Sequence, residues 1–314
     1  MYRFIALRLM SLIPMLLAVY TLAFFIVYLV PGDPAVVMLG AHASPGRLER
    51  VRALMGLDRP LHVRYFDSLI RTLRGDLGTS VFLADSISKA LGERIPVSVC
   101  LAVYALALEI VIGLPLGIIA AVRQNSLIDR AAMVSATFGL SIPGFWLGLL
   151  LIYLFALRLG WFRTGGWIPF SESVSGCIKS LTLPALSLAI REAAYIARMV
   201  RANMVEVLSE EYVTTARSKG LSEWKVVVRH ALKNALIPVI TVAGLSFGSL
   251  LGGTVVTETV FRLPGVGRFI IMGIQGRDYP IIQAALLFVG FCFCIINLLC
   301  DIMYALIDPR ITYK

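Results

Sequence analysis

The residues of this sequence that could do chemistry begin with its thiols and imidazoles. Cys100, Cys177, Cys292, Cys294 and Cys300 are odd in number and form no C-x-x-C pair. Four of them lie in apolar runs, where cysteine behaves as a small hydrophobe. His42, His62 and His230 share no ligand spacing. No metal site, disulfide framework or nucleophile with its base is indicated, so no catalytic residue is expected. Charged groups inside apolar sequence say more: Glu109, Arg191, Glu192 and Asp301. A charge at mid-bilayer costs at least about 2.5–3.5 kcal/mol, so these four must face protein or a water-filled path. Both structural ion pairs and a translocation path account for them. Arg191 and Glu192 adjoin each other, about 100° apart on a helix, so each needs a separate partner. Glu109 or Asp301 suits Arg191, and water or substrate suits Glu192.

A second constellation is the polar, basic stretch EEYVTTARSKGLSEWKVVVRHALKNALIP, residues 210–238, set between two long apolar runs. Ser209 is placed to cap a helix whose first turn holds Glu210 and Glu211, favourable at the positive end of the helix dipole. Gly220 ends that helix, with the freedom to adopt positive φ. Ser222 then caps a second helix with Trp224, Val227, Val228, Ala231, Leu232 and Ala235 toward one face, while Lys225, Arg229 and Lys233 offset its C-terminal end. Two short amphipathic helices joined at a glycine must bury their apolar faces in the bundle, in a groove on a partner, or on lipid.

The elements that position these groups follow from composition. Of 314 residues 58% are hydrophobic and 15% charged, and the mean hydropathy is +0.84, against about 45–50% apolar in soluble domains. The chain reads as an all-α, polytopic membrane protein. Spans need about 20 apolar residues, and six runs qualify, near 9–30, 98–122, 132–157, 181–200, 236–257 and 281–306. The first is too long for a signal peptide's apolar region and reads as a retained anchor. Arg3, Arg8, Arg123, Arg130, Arg198, Arg201, Arg217, Lys219, Lys225, Arg229, Lys233, Arg310 and Lys314 fall on one side of this arrangement. Only Arg163, Lys179, Arg262, Arg268 and Arg277 fall in the short loops opposite, so both termini are expected to be cytoplasmic. The net charge of +10 is thereby a topology signal. No aromatic-interleaved basic platform for nucleic acid accompanies it. The fifth run carries Gly244, Gly248 and Gly252, four apart on one face, which permits close helix approach within the subunit, at the pore or at a subunit interface. Pro115 between Gly113 and Gly117, and Pro143 beside Gly144, mark places where helices could bend. The 31–97 segment predicts two helices. One is capped at Ser44, has Pro45 at its first position and stops at Gly56. The other follows GLDRPL with Val63, Phe66, Leu69, Ile70 and Leu73 on one side and runs to Gly75. This appendage is either a docking surface or a lid on the bundle.

The stretch TTARSKGLSEWKVVVRHALKNALIP resembles the coupling loop of ABC importer permeases, whose general pattern is EAA, three residues, Gly, nine residues, then I-x-L-P. Aligned on Gly220, Thr214-Thr215-Ala216 stands for EAA and His230-Ala231-Leu232-Lys233 for I-x-L-P. That departure is similar to the variant of the dipeptide, oligopeptide, glutathione and nickel branch. PGDP at 31–34, GLDRPL at 56–61, RGDLGTS at 74–80, SIPGFWLG at 141–148, LGW at 159–161, TVFRLPGVGR at 259–268, RDYP at 277–280 and DPRI at 308–311 extend the likeness over nearly the whole chain.

The resemblance implies a type I ABC importer permease fold with about six transmembrane helices in a bacterial or archaeal cytoplasmic membrane. It divides the chain into an anchor helix (1–30), an extracytoplasmic helical appendage (31–97), a permease core (98–307) including a cytoplasmic coupling loop (203–236), and a cytoplasmic tail (308–314). The implied partners are a second permease subunit, two ATPase subunits and an extracytoplasmic substrate-binding protein, besides membrane lipid. Ala216, Arg217, Ser218, Lys219, Gly220 and Leu221 are the implied ATPase-coupling residues. The chain agrees on one point: none of its six lysines follows a glycine, so it lacks the Gly-Lys of a Walker A loop. No cofactor is expected in this chain, and ATP and Mg would be bound by the partner ATPases. Peptides, glutathione or a nickel chelate are the implied substrates. A gradient-driven transporter or channel is the rival reading, and no repeat between the halves supports it.

Overall fold

The computed structural model describes residues 2–28, 33–39, 44–80 and 82–307. His42, the tail 308–314 and the DPRI motif lie outside the described residues, as do Pro31 and Gly32 of PGDP. The chain forms two compact units, Met1–Ser98 with Pro264–Cys294 and Val99–Leu263 with Ile295–Lys314. Its helices are α1 (Tyr2–Tyr28), α2 (Pro34–Leu39), α3 (Pro45–Leu54), α4 (Leu61–Leu73), α5 (Ile87–Val122), α6 (Leu127–Ser141), α7 (Gly144–Leu151), α8 (Val174–Leu208), α9 (Glu211–Ser218), α10 (Glu223–Lys225), α11 (Leu232–Val260), α12 (Val266–Gly276) and α13 (Tyr279–Ile307). A two-stranded antiparallel hairpin, β1 (Thr79–Ser80) and β2 (Asp85–Ser86), precedes α5.

In the first unit, α3 starts at Pro45 after Ser44 and ends before Gly56 at φ 62°, and α4 ends before Gly75 at φ 84°. The Ser44 side chain makes no capping bond, so Pro45 at the first position defines the start. Tyr65 of α4 packs on α1, stacked on Phe25 at 5.9 Å and edge-on to Phe24 at 5.2 Å, with its Oη 2.8 Å from Thr21 Oγ1. The apolar side read from the sequence is left open: Phe66, Ile70 and Leu73 of α4 are exposed. Two distant motifs meet at a corner, where Ser80 donates to Asp278 Oδ2 at 2.6 Å and the Phe82 N–H donates to the same oxygen. Asp278 is buried, and below it Ile87, Leu91, Phe269 and Ile281 form the core of this unit.

The second unit is built round α8, 35 residues long. Gly113 and Gly117 of α5 sit so close to it that a Cβ would lie 2.6 Å from the carbonyl oxygens of Ala193 and Ala197. These glycines, read from the sequence as places to bend, are points of close approach. On the α6 side, Arg201 reaches Asp129 through Nη2 to Oδ2 at 2.7 Å and through Nε to Oδ1. Ile196, Val200 and Met204 of α8 pack with Val227, Ala231, Ala235 and Val239. Around Phe261 three motifs converge: its carbonyl accepts from Gly166 N at 3.0 Å, a Cβ on Gly165 would collide with that carbonyl at 2.3 Å, and its ring lies against Gly148.

Within the described residues, each apolar run read from the sequence falls in a helix, with one interruption. The third run is broken at Ile142–Pro143, where α6 and the helix continuing from α7 to Arg158 meet at 100°. Pro143 lacks the N–H an unbroken helix needs, and this accounts for the break. Among the described residues three helices have the length and apolarity of a span, within Leu9–Ile26, Ile87–Val122 and Tyr279–Cys300, or four if the bent pair is one span. That is fewer than the six expected. Arg191 and Glu192 dilute α8 midway.

Candidate functional site

Two groups of side chains in the second unit bear on function. The first is a polar layer amid apolar helices. Ser246 of α11 donates to Glu109 Oε2 of α5 at 3.1 Å and lies 3.5 Å from Glu192 Oε2 of α8. A serine hydroxyl has one hydrogen, so the shorter bond to buried Glu109 prevails and half-buried Glu192 is left for water or another donor. Glu109 Oε1 has no partner among the described residues. Arg191 is exposed and makes no ion pair with Glu109 among the described residues, which leaves Asp301 of its two expected partners. Gly252 lies within α11, but its burial and the Asp301 side chain are outside what the structure describes. Gly244 and Gly248 are buried, and a Cβ on Gly244 would fall 1.9 Å from Cys300 Sγ. Gly244 therefore serves contact between α11 and α13 within this chain.

The second group is the segment from Ser209 to Ala231. The cap at its start differs from the sequence reading, because α8 runs on to Leu208 and Ser209 donates back to the Glu206 carbonyl at 2.6 Å. Glu210 is the N-cap residue of α9. Gly220 follows at φ 77°, the left-handed conformation that glycine adopts without strain. Beyond it α10 is a single turn that passes into a π-helical turn, Val226–Ala231, and then into α11. The second helix of the pair is thus the start of α11 rather than a separate element. Val213, Ala216 and Val226 are buried together beside Val207 and Leu208. Ala216 therefore seats α9 on the bundle, while Arg217, Ser218, Lys219, Gly220 and Leu221 are exposed. Trp224, assigned to the inner face from the sequence, is 75% exposed, and Val226 takes the buried place.

Polar contacts hold this shape. Arg217 binds Glu223 with Nε to Oε1 at 2.9 Å and Nη2 to Oε2 at 3.4 Å, bracketing Gly220. Asn234 donates to Tyr212 Oη at 2.8 Å, tying α9 to α11. The result is a braced projection whose uncovered apolar groups are Tyr212, Leu221, Trp224 and Val228. Buried Asp129 and Ser246 were not singled out from the sequence. Ser126-Leu127-Ile128-Asp129 has the S-x-x-D spacing of a helix start, and the Asp129 N–H donates to Ser126 Oγ at 3.3 Å, a signal that marks the cap but not the partner Arg201; a serine in an apolar run carries no distinguishing spacing.

Comparison with known proteins accords with this architecture. Residues 113–313 match the model of the binding-protein-dependent transport system inner membrane component, and residues 1–102 match the N-terminal model of the same membrane component. A putative peptide transport system permease protein of Brucella abortus is 44% identical over 306 residues, 98% of each chain. A glutathione transport system permease protein of Salmonella typhimurium is 41% identical over 314 residues, all of both chains. Among solved structures, the inward-facing MetNI methionine ABC transporter aligns with a TM-score of 0.58 at 19% identity, covering 69% of this chain and 96% of that one. This last likeness bears on the fold alone, which is the type I permease fold. The gradient-driven alternative is set aside: the chain belongs to the family of binding-protein-dependent transport system inner membrane components, the permeases of ABC importers.

Proposed function

We propose that this chain is one permease half of an importer for peptides or glutathione, driven by partner ATPases that bind ATP and Mg. A second permease subunit completes the path, and a substrate-binding protein delivers cargo to the 31–97 appendage outside the membrane. Both termini and the 203–236 loop lie in the cytoplasm. The observation that carries this reading is the braced projection at Gly220. Its exposed Tyr212, Leu221 and Trp224 need a groove to fill, and aromatic anchors suit one. The near-full-length identity to peptide and glutathione permeases supports the substrate class. With Arg217 and Glu223 paired across the turn, the projection moves as one body with the ATPase that holds it, which is how a rigid element transmits domain closure. Arg217, Ser218, Lys219, Gly220 and Leu221 form the docked surface, and Ala216 anchors it from beneath.

The test is substrate-stimulated ATP hydrolysis by the complex reconstituted in proteoliposomes. Gly220→Val strains a left-handed turn at a cost of about 1–3 kcal/mol, and should abolish stimulation while leaving the membrane-inserted amount of permease unchanged. Stimulation equal to wild type would refute the coupling role.

A further inference from the structure

The exposure pattern of α8 singles out one strip. Neighbours take up most of its circumference: α5 at Ala193 and Ala197, α6 through Asp129 to Arg201, α7 at Ser187, and α11 along Ile196, Val200 and Met204. From residue 191 onward the exposed positions of α8 are Arg191, Tyr195, Arg198, Ala202 and, near its end, Glu206. Those intervals of four, three, four and four residues trace a single helical face. Neither Arg191 nor Arg198 makes an ion pair or a side-chain hydrogen bond among the described residues. Arg201, one turn away, is by contrast fully engaged with Asp129.

Arg191, midway along a helix buried on its other sides, cannot face hydrocarbon, and Arg198 continues the same face toward the end of α8. An uncovered strip of this kind needs water and anions opposite it. Seven residues separate the two arginines, so their origins stand about 10 Å apart along the axis, with the Tyr195 ring and hydroxyl between them. The guanidinium fork matches a carboxylate with two parallel hydrogen bonds, and the strip offers two such forks in succession.

We propose that the Arg191–Tyr195–Arg198 face of α8 lines the translocation path and passes the substrate's carboxylate from one guanidinium to the next. This rests on the peptide or glutathione reading above, because both substrates carry a carboxylate at the end of a flexible chain. Glu192, half-buried beside Ser246, lies round the helix from Arg191 and supplies an opposite charge. A zwitterion thus meets both signs at one level.

The test uses the assembled complex in proteoliposomes with Tyr195→Cys as reporter, scored as labelling above that of the native cysteines. An anionic methanethiosulfonate (ethylsulfonate) should react at least about tenfold faster than its cationic ethylammonium counterpart, the lower bound for charge focusing in a cleft. Arg191→Gln with Arg198→Gln should erase that preference, the Lys pair should keep it, and trialanine with the binding protein and ATP should slow labelling. A reporter that does not react, because lipid or the second permease covers it, would overturn the proposal, as would equal rates for the two reagents. A clear anion preference in a complex that takes up neither trialanine nor glutathione would retain the anion-lined path and refute the substrate reading instead.

Discussion

Asp129→Asn isolates the clamp between α6 and α8. Asp129 is 4% exposed at its side chain and Arg201 26%, and the aspartate also accepts from the Asn125 N–H at 2.9 Å. Asparagine keeps the volume and one acceptor but leaves the guanidinium without its counter-charge. Stranding one member of a fully buried pair costs about 3–5 kcal/mol, and exposed pairs are worth about 0–1 kcal/mol. With a quarter of Arg201 in reach of solvent, a loss of about 2–3 kcal/mol is expected. At 1.4 kcal/mol per decade that is about 30- to 140-fold in the folded-to-unfolded ratio. Reversible unfolding in mixed dodecyl maltoside and dodecyl sulfate micelles, followed by tryptophan fluorescence, reads this directly. Arg201→Gln should cost a similar amount, and the double variant should fall short of the sum by at least about 1.5 kcal/mol, as contacting partners do. Additivity within about 0.5 kcal/mol, or an Asp129→Asn protein as stable as wild type, would show that the pair does not clamp the helices.

Gly117→Val places a branched side chain where even a Cβ would lie 2.6 Å from the Ala197 carbonyl; overpacking of this kind costs about 1–3 kcal/mol, and unchanged stability in the same micelles would contradict the close approach. Asp33 has its carboxyl held below the usual range: burial opposes this, but the Arg52 guanidinium and the Ala35 N–H outweigh it. A depressed folded value means that the pair's support of the α2–α3 corner is fully present above the ordinary carboxylate value, near pH 3.9, and is lost as pH falls through the depressed folded value. Hydrogen-exchange protection in α3, taken relative to the intrinsic rates, should therefore drop as pH falls below about 4, and Asp33→Asn should remove that pH dependence; protection that does not change with pH would count against the pairing. The proposed sidedness is checked with Asp58→Cys, at an exposed turn, which should take up an impermeant maleimide in intact spheroplasts; labelling only after lysis would reverse the topology.

Much of this architecture was legible because it depends on local signals. Apolar runs, the glycines at 56, 75 and 220, and the order of motifs all act through nearby residues, and the left-handed φ at Gly220 follows from one side chain's absence. What escaped depends on which partner a residue meets. Asp129 has Arg123, Arg130, Arg198 and Arg201 within reach of a plausible bundle, and only the packed register of α6 on α8 selects Arg201. Ser246 gains meaning from Glu109, far away in the chain. Gly113 and Gly117 looked like flexible joints because a glycine's use as a contact point is set by the opposite helix. Pro143 did break its helix, while Pro184 sits inside α8 without ending it, so proline alone does not separate a joint from a tolerated kink.

The π-helical turn at Val226–Ala231 explains why the face of the second helix was misjudged. Its bonds reach one residue further than those of an α-helix, so it holds an additional residue without lengthening the path, and everything before it is turned by about 100° relative to α11. Counting back from Ala235 at ordinary spacing puts Trp224 inside; the added residue puts Val226 there and Trp224 outside. The turn therefore works as a phase setting between the projection and the span that follows. Removing any one residue from 226–231 would leave the length and composition of the segment almost intact, yet it would rotate the projection's anchors toward the bundle and present aliphatic side chains in their place. Relatives that differ here by a single residue would then dock through a different surface even with an identical ARSKGL sequence.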